Sequence, residues 1–184
     1  MSRACHYHIR ALRHIRSFQT HDSAVTIACG IVSSRLDYCN SLLYGSSAEN
    51  IQQLQRAQNT LARVVTGSRS RTGSTPLLQG LHWLPVDYRI RYKISSLTYK
   101  ILQQQQPTYL QPLLSRYIPS RSLRSGEQIQ LIIPRTNTRI GTRAFSVAAP
   151  TIWNSLPLNV RDVATLGTFQ SHLKTHFFSS AYNI

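Results

Sequence analysis

Apolar residues return at helical spacing along most of this chain, first at Cys5, Ile9, Leu12 and Ile15. A repeat of three and four lays them on one stripe of an amphipathic helix whose other faces carry Arg3, Arg10, Arg13 and Arg16. Basic, acid-free and apolar-striped, this segment also fits a mitochondrial transit peptide; the plainer reading is a helix with a solvated basic face. Thr20, Asp22 and Ser23 then supply a helix start. Val25, Cys29, Val32, Leu36, Cys39 and Leu43 extend a core-facing stripe that predicts one long helix ended by Gly45. The pattern restarts at Ser46 or Ser47, with Glu49 in the first turn, and runs through Ile51, Leu54, Ala57, Leu61, Val64 and Val65 to Gly67 as C-cap. Two antiparallel helices joined by a short turn are expected. The outer face of the second carries Gln52, Gln55, Arg56, Asn59 and Arg63.

From Ser68 to Ser74 the sequence turns to a basic loop holding Arg69 and Arg71. Leu77, Leu78, Leu81 and Trp83 form a short apolar turn, and Pro85 is placed to open a third long helix from Val86 to about Gln105 on the stripe Ile90, Ile94, Leu97, Ile101. Pro107 and Pro112 bracket one more short helix. Arg116, Arg121 and Arg124, interrupted by Pro119 and Gly126, read as a loop; Ile129–Ile133 reads as the one strand. Arg135, Arg139 and Arg143 follow at every fourth residue. A helix is expected from Ala144 to Trp153 despite Pro150, and a last one from Leu166 to Phe178 on Leu166, Phe169, Leu173 and Phe177. The predicted fold is mainly α: a helical bundle of about five to seven helices with one or two short strands near 129–133. A helical region over 1–114 would precede a region of basic loop, short strand and C-terminal helices over 115–184.

Charge changes this picture. Lys and Arg number 21 against 6 Asp and Glu, a formal +15 over 184 residues. Only Lys93, Lys100 and Lys174 are lysines, so 18 of the 21 bases are arginine. Six acids cannot neutralise that excess, which points to a polyanionic partner. With 41% hydrophobic and 15% charged residues, the chain is too apolar for a disordered basic tail and is expected to fold. The longest uncharged apolar run, Ala24–Val32, is about half of a bilayer crossing, so no membrane partner is expected. Cys5, Cys29 and Cys39 are odd in number and far apart, with no zinc-ligand spacing around them. A reducing intracellular compartment, nucleus or cytoplasm, is the expectation, with no metal and no cofactor. Cys29 and Cys39 fall on the apolar stripe and are expected to be buried.

The long helix after Pro85 sets Tyr88, Tyr92 and Tyr99 among Arg89, Lys93 and Lys100. Interleaved rings and bases suit a sugar-phosphate backbone with bases resting on phenols; half-buried rim tyrosines are the alternative. Catalysis finds no such support. Metal-dependent phosphoryl transfer needs clustered carboxylates, yet Asp22, Asp37, Glu49, Asp87, Glu127 and Asp162 lie no closer than 12 positions apart. An ion pair of Asp37 or Asp87 with Arg35, Arg89 or Arg91 is the simpler account. His172 and His176 have metal-compatible spacing without a third ligand, and no phosphate-cradling glycine motif occurs.

Several blocks share order and spacing with one family. Segments 34–45 (SRLDYCNSLLYG), 54–59 (LQRAQN) with Ala62, Arg63, Thr66 and Gly67, and 81–90 (LHWLPVDYRI) resemble the region just downstream of the polymerase domain in non-LTR, LINE-type (Jockey-like) retrotransposon reverse transcriptases. The likeness continues through 119–124 (PSRSLR), Pro134 and Arg135, 143–150 (RAFSVAAP), 153–157 (WNSLP) and Phe169 to Phe178. It implies thumb and post-thumb helices, with 1–114 as the thumb-like region, detached from an RNA-directed DNA polymerase whose paired aspartates have no counterpart here. Because Met1 falls inside the region of likeness, a truncated copy or the reading frame of a decayed insertion is expected.

The expected role is therefore non-catalytic binding of RNA or an RNA/DNA template-primer through Arg56, Arg63, Arg69, Arg71, Arg89, Lys93, Arg121, Arg124, Arg135, Arg139 and Arg143. Packing of apolar stripes on a polymerase palm, or on another copy of the chain, is the alternative. The purified chain with magnesium and primer-template is expected to incorporate no nucleotide. Template-dependent extension in that assay would overturn the reading of the acids.

Overall fold

In a computed structural model, which describes residues 2–68, 72–118 and 130–184, the protein is mainly helical and consistent with a helical bundle. It divides into two compact units, Met1–Ile90 with Phe178–Ile184, and Arg91–Phe177. This division falls inside the helices that hold Ile90 and Phe177.

In the first unit, helix α1 (Ser2–Ile15) buries Cys5, Ile9 and Leu12 of its predicted stripe and leaves Ile15 exposed. Helix α2 (His21–Ala28) starts on Thr20, whose hydroxyl accepts from Ser23 N–H, with Asp22 complementing the positive helix end. The long helix expected to reach Gly45 is not one regular α-helix. Residues Cys29–Ser33 form a π-helical turn, α3 (Ser34–Asp37) follows, and the helix stops where Tyr38 is extended and Cys39 takes a left-handed φ of 51°. A 3-10 turn over Asn40–Leu43 completes the segment.

The π turn also shifts the buried face. Ala24, Ala28, Val32, Leu36 and Asn40 are buried at a spacing of four, with Ser33 beside Val32. In an α-helix each four-residue step overshoots one turn by about 40°; a wider turn rotates less per residue and holds the row on one side. Cys29, off this row, and Cys39, beyond the end of the helix, are exposed, against the expectation for them, whereas Cys5 is buried. Burial pushes the Cys5 thiol pKa up.

Helix α4 (Ala48–Thr66) matches its expected limits, with Ser47 Oγ accepting from Asn50 N–H and Gly67 at φ 66° closing it. A Cβ at Gly67 would meet no atom within 4 Å, so glycine serves the backbone angle alone there. Leu54, Ala57, Leu61, Ala62, Val64 and Val65 are buried, and α4 packs on α1, α2 and α5 (Ser74–Gly80). Two glutamines of α4 seat the next helix, α6 (Val86–Gln104). Gln58, fully buried, donates to Leu84 O at 2.8 Å, and Gln55 Oε1 accepts Val86 N–H at 2.9 Å. The chain end closes on the same unit: Tyr182 donates to Trp83 O at 2.6 Å and Tyr88 to Ser180 O at 3.2 Å.

The second unit holds the rest of α6, a 3-10 segment over Thr108–Leu113, α7 (Phe145–Ser155), α8 (Leu158–Arg161) and most of α9 (Leu166–Tyr182). Tyr99 is buried, its ring stacked on Phe169 with centroids 4.3 Å apart, and Trp153 lies 5.8 Å from the same ring. The Tyr99 hydroxyl donates to Val163 O at 2.7 Å. The expected strand near 129–133 reduces, among the described residues, to one antiparallel bridge between Arg116 and Leu131; Ile129 lies outside them. Leu131 N–H and C=O are taken by the Asn154 side chain at 3.0 and 2.8 Å, and Pro134 has no N–H to continue a ladder.

Desolvation pushes the Tyr182 phenol up to about 12, against about 10 in an unfolded chain. The fold favours the protonated form, so this contribution to stability is complete below about pH 10 and is lost as pH rises through 12. Urea midpoints measured across that window are expected to fall, and less steeply in Tyr182→Phe. Parallel curves for the two proteins would refute this.

Candidate nucleic-acid interface

The last carbonyls of α4 face a chain that must supply donors, because a helix end leaves four of them without intrahelical partners. Ser68 N–H reaches Arg63 O, Gly67 N–H reaches Val64 O, and Arg16 Nε donates to Val65 O at 2.8 Å. Arg16 Nη1 also donates to Gln19 O at 2.9 Å. The arginine side chain thereby clamps the end of α1 to the end of α4. Beside this clamp opens a groove of about 680 Å³ lined by Arg13, Arg16, Ser17, Thr60, Arg63, Val64, Gly67 and Ser68.

Among the arginines expected from sequence to bind, Arg63 lines this groove, with Nε and Nη2 each 3.4 Å from Thr72 O. Arg56 is exposed seven residues earlier on the same face of α4. Arg13 and Arg16 were not among the expected binding residues. The basic face of the first helix was visible in sequence; its apposition to Arg63 was not.

Arg89 is differently employed. Its Nε donates to Asp37 Oδ1 at 2.8 Å and its Nη2 pairs with Oδ2, a bidentate pair with the guanidinium side only 17% exposed. Asn40 adds a third donor to Asp37 at 3.3 Å. This is one of the ion pairs the sequence suggested. In the second unit Lys93, Arg135, Arg139 and Arg143 are exposed. Residues 132–136 are irregular and Gly141–Arg143 form a single 3-10 turn, so the fourfold spacing of Arg135, Arg139 and Arg143 does not correspond to one helix face. Arg69, Arg71, Arg121 and Arg124 lie outside the described residues.

The tyrosines of α6 are not a free row of rings. Tyr99 is in the core, Tyr88 is tied to Ser180, and Tyr92 is half-buried with its phenol pKa raised by that burial. His172 Nδ1 lies 3.4 Å from Asn159 O, and desolvation lowers the pKa of His176. Among the described residues no group of three or more His, Cys, Asp or Glu gathers as metal ligands, and no helix is long and apolar enough to cross a membrane. Comparison with known proteins finds no matching family model, no matching curated protein and no matching solved structure.

Asp37→Asn removes the charge that holds Arg89. The expected cost is about 1–2 kcal/mol of unfolding free energy, since the carboxylate side is partly solvated. In Arg89→Met that same substitution is expected to cost far less, a coupling that a double-mutant cycle reads directly.

Proposed function

We propose that this chain is a non-catalytic nucleic-acid-binding lobe of the kind that follows the polymerase domain in a non-LTR retrotransposon reverse transcriptase. It grips RNA or an RNA/DNA template-primer by its phosphates. The observation carrying this reading is the excess of basic over acidic residues, +15 overall, with exposed Arg56, Arg135 and Arg139 and a groove lined, among the described residues, by three guanidiniums and no acid. Arginine suits the task because its planar fork matches two phosphate oxygens at once. The sequence likeness supplies the parent class, and bond-making is assigned to the polymerase domain rather than to this chain.

A protein-interaction role draws on a different observation. Tyr117, Ile118, Ile132, Ile133 and Ile140 are all exposed in the second unit. Trp83, which would have strengthened that role, is buried. Sedimentation as a monomer at high salt and high concentration would count against self-association.

Labelled RNA titrated at several salt concentrations tests the main reading. With about six phosphates neutralised, log K is expected to fall against log salt with a slope of roughly −5. A flat response overturns it.

A further inference from the structure

We propose that the groove between α1 and the C-terminal half of α4 seats a phosphate group of a polynucleotide, held by Arg13, Arg16 and Arg63. This rests on the nucleic-acid reading above and names its first contact site, two-thirds of which the sequence did not single out.

Three observations carry it. Among the described residues, none of the eight that line the groove is acidic, in a chain where a nearby carboxylate is what occupies Arg89. Arg16 is already fixed: Nε and one Nη1 proton are bound to the carbonyls of Val65 and Gln19. A guanidinium has five N–H groups, so three remain, held in place before any ligand arrives. Ser17 and Ser68 add hydroxyls around the same opening, while the Thr60 hydroxyl donates to Arg56 O.

The plain structural alternative is that these arginines only offset helix dipoles, since α1 and α4 both end here. Magnitudes separate the two. Each helix terminus carries about −0.5 of a charge, so two ends amount to about −1 against three full positive charges. Roughly two positive charges stay uncompensated, in a groove of about 680 Å³, roomier than a phosphate group needs. The opening therefore admits a chain passing through as well as a chain end.

The test measures binding of short single-stranded oligoribonucleotides, with a 5′-phosphate or a 5′-hydroxyl, to the whole chain. Arg13→Gln/Arg63→Gln, which leaves the Arg16 clamp in place, is compared with Arg3→Gln/Arg35→Gln, which removes equal charge at exposed positions of the same unit that do not line the groove. The groove variant is expected to lose about tenfold in affinity at low salt and about 1.4 in salt slope, two contacts at about 0.7 each. The second variant is expected to stay within about twofold of the original. A preference for the 5′-phosphate assigns the seat to a chain end; equal binding of both oligonucleotides assigns it to an internal phosphodiester. If the original protein binds and the two variants behave alike, the groove is refuted and the general reading stands. If the folded original binds neither oligonucleotide, both fall. Unchanged thermal melting of Arg13→Gln/Arg63→Gln guards against loss of fold as the cause.

Discussion

The end of α4 is the constraint on which the arrangement of the first unit turns. A helix that stops inside a protein leaves carbonyls that must find donors, and the turn through Gly67 satisfies only some of them. Arg16 reaches Val65 O from another element and thereby fixes where α1 ends. Burial of Ile9, Leu12, Leu61 and Val65 contributes about 1.5–3 kcal/mol for each fully buried large aliphatic side chain. Apolar contact is tolerant of small slides, however. A guanidinium bonded to two named carbonyls is not, so it sets the register that hydrophobic burial leaves loose.

Buried polar groups play the same part elsewhere. Gln55 and Gln58 tie α4 to the start of α6, and Asn154 gives Leu131 the partners that a neighbouring strand would have given. Left unpaired, each such backbone group would cost about 1–3 kcal/mol. The side-chain amides thus decide where an irregular segment docks. They also explain why Leu131, Ile132 and Ile133, beside Pro134, gain a single bridge among the described residues instead of a strand.

Much of the helical framework was legible. Ser47 and Gly67 mark α4 because capping chemistry is local, and Phe169, Leu173 and Phe177 mark α9 because a stripe that long has one sensible burial. What was not legible depended on geometry with no local signal. A π turn from Cys29 to Ser33 continues the buried row of Ala24 and Ala28 onto Val32 and leaves Cys29 outside it. Tyr99 was grouped with Tyr88 and Tyr92 by sequence, but the partner that decides its fate is Phe169, 70 positions away. Arg63 could be named as a basic residue on a polar face; its neighbours Arg13 and Arg16 approach from an earlier helix, and no spacing along the chain encodes that meeting.

The preference for arginine over lysine has a reason beyond phosphate geometry. In a protein with six acids, a cation cannot count on a carboxylate to hold it in position. Arg89 has Asp37, but Arg16 is held by backbone carbonyls, and a side chain so used has to keep donors in reserve if it is also to meet a ligand. An ammonium has three donors on one nitrogen, and binding two carbonyls leaves one, with no fixed plane. A guanidinium bound through Nε and one Nη1 proton keeps three in a rigid fork. Arg16 shows the arrangement directly. Acid poverty and arginine richness are then two sides of one solution, in which the backbone does the positioning that carboxylates do elsewhere and leaves the positive charge unneutralised.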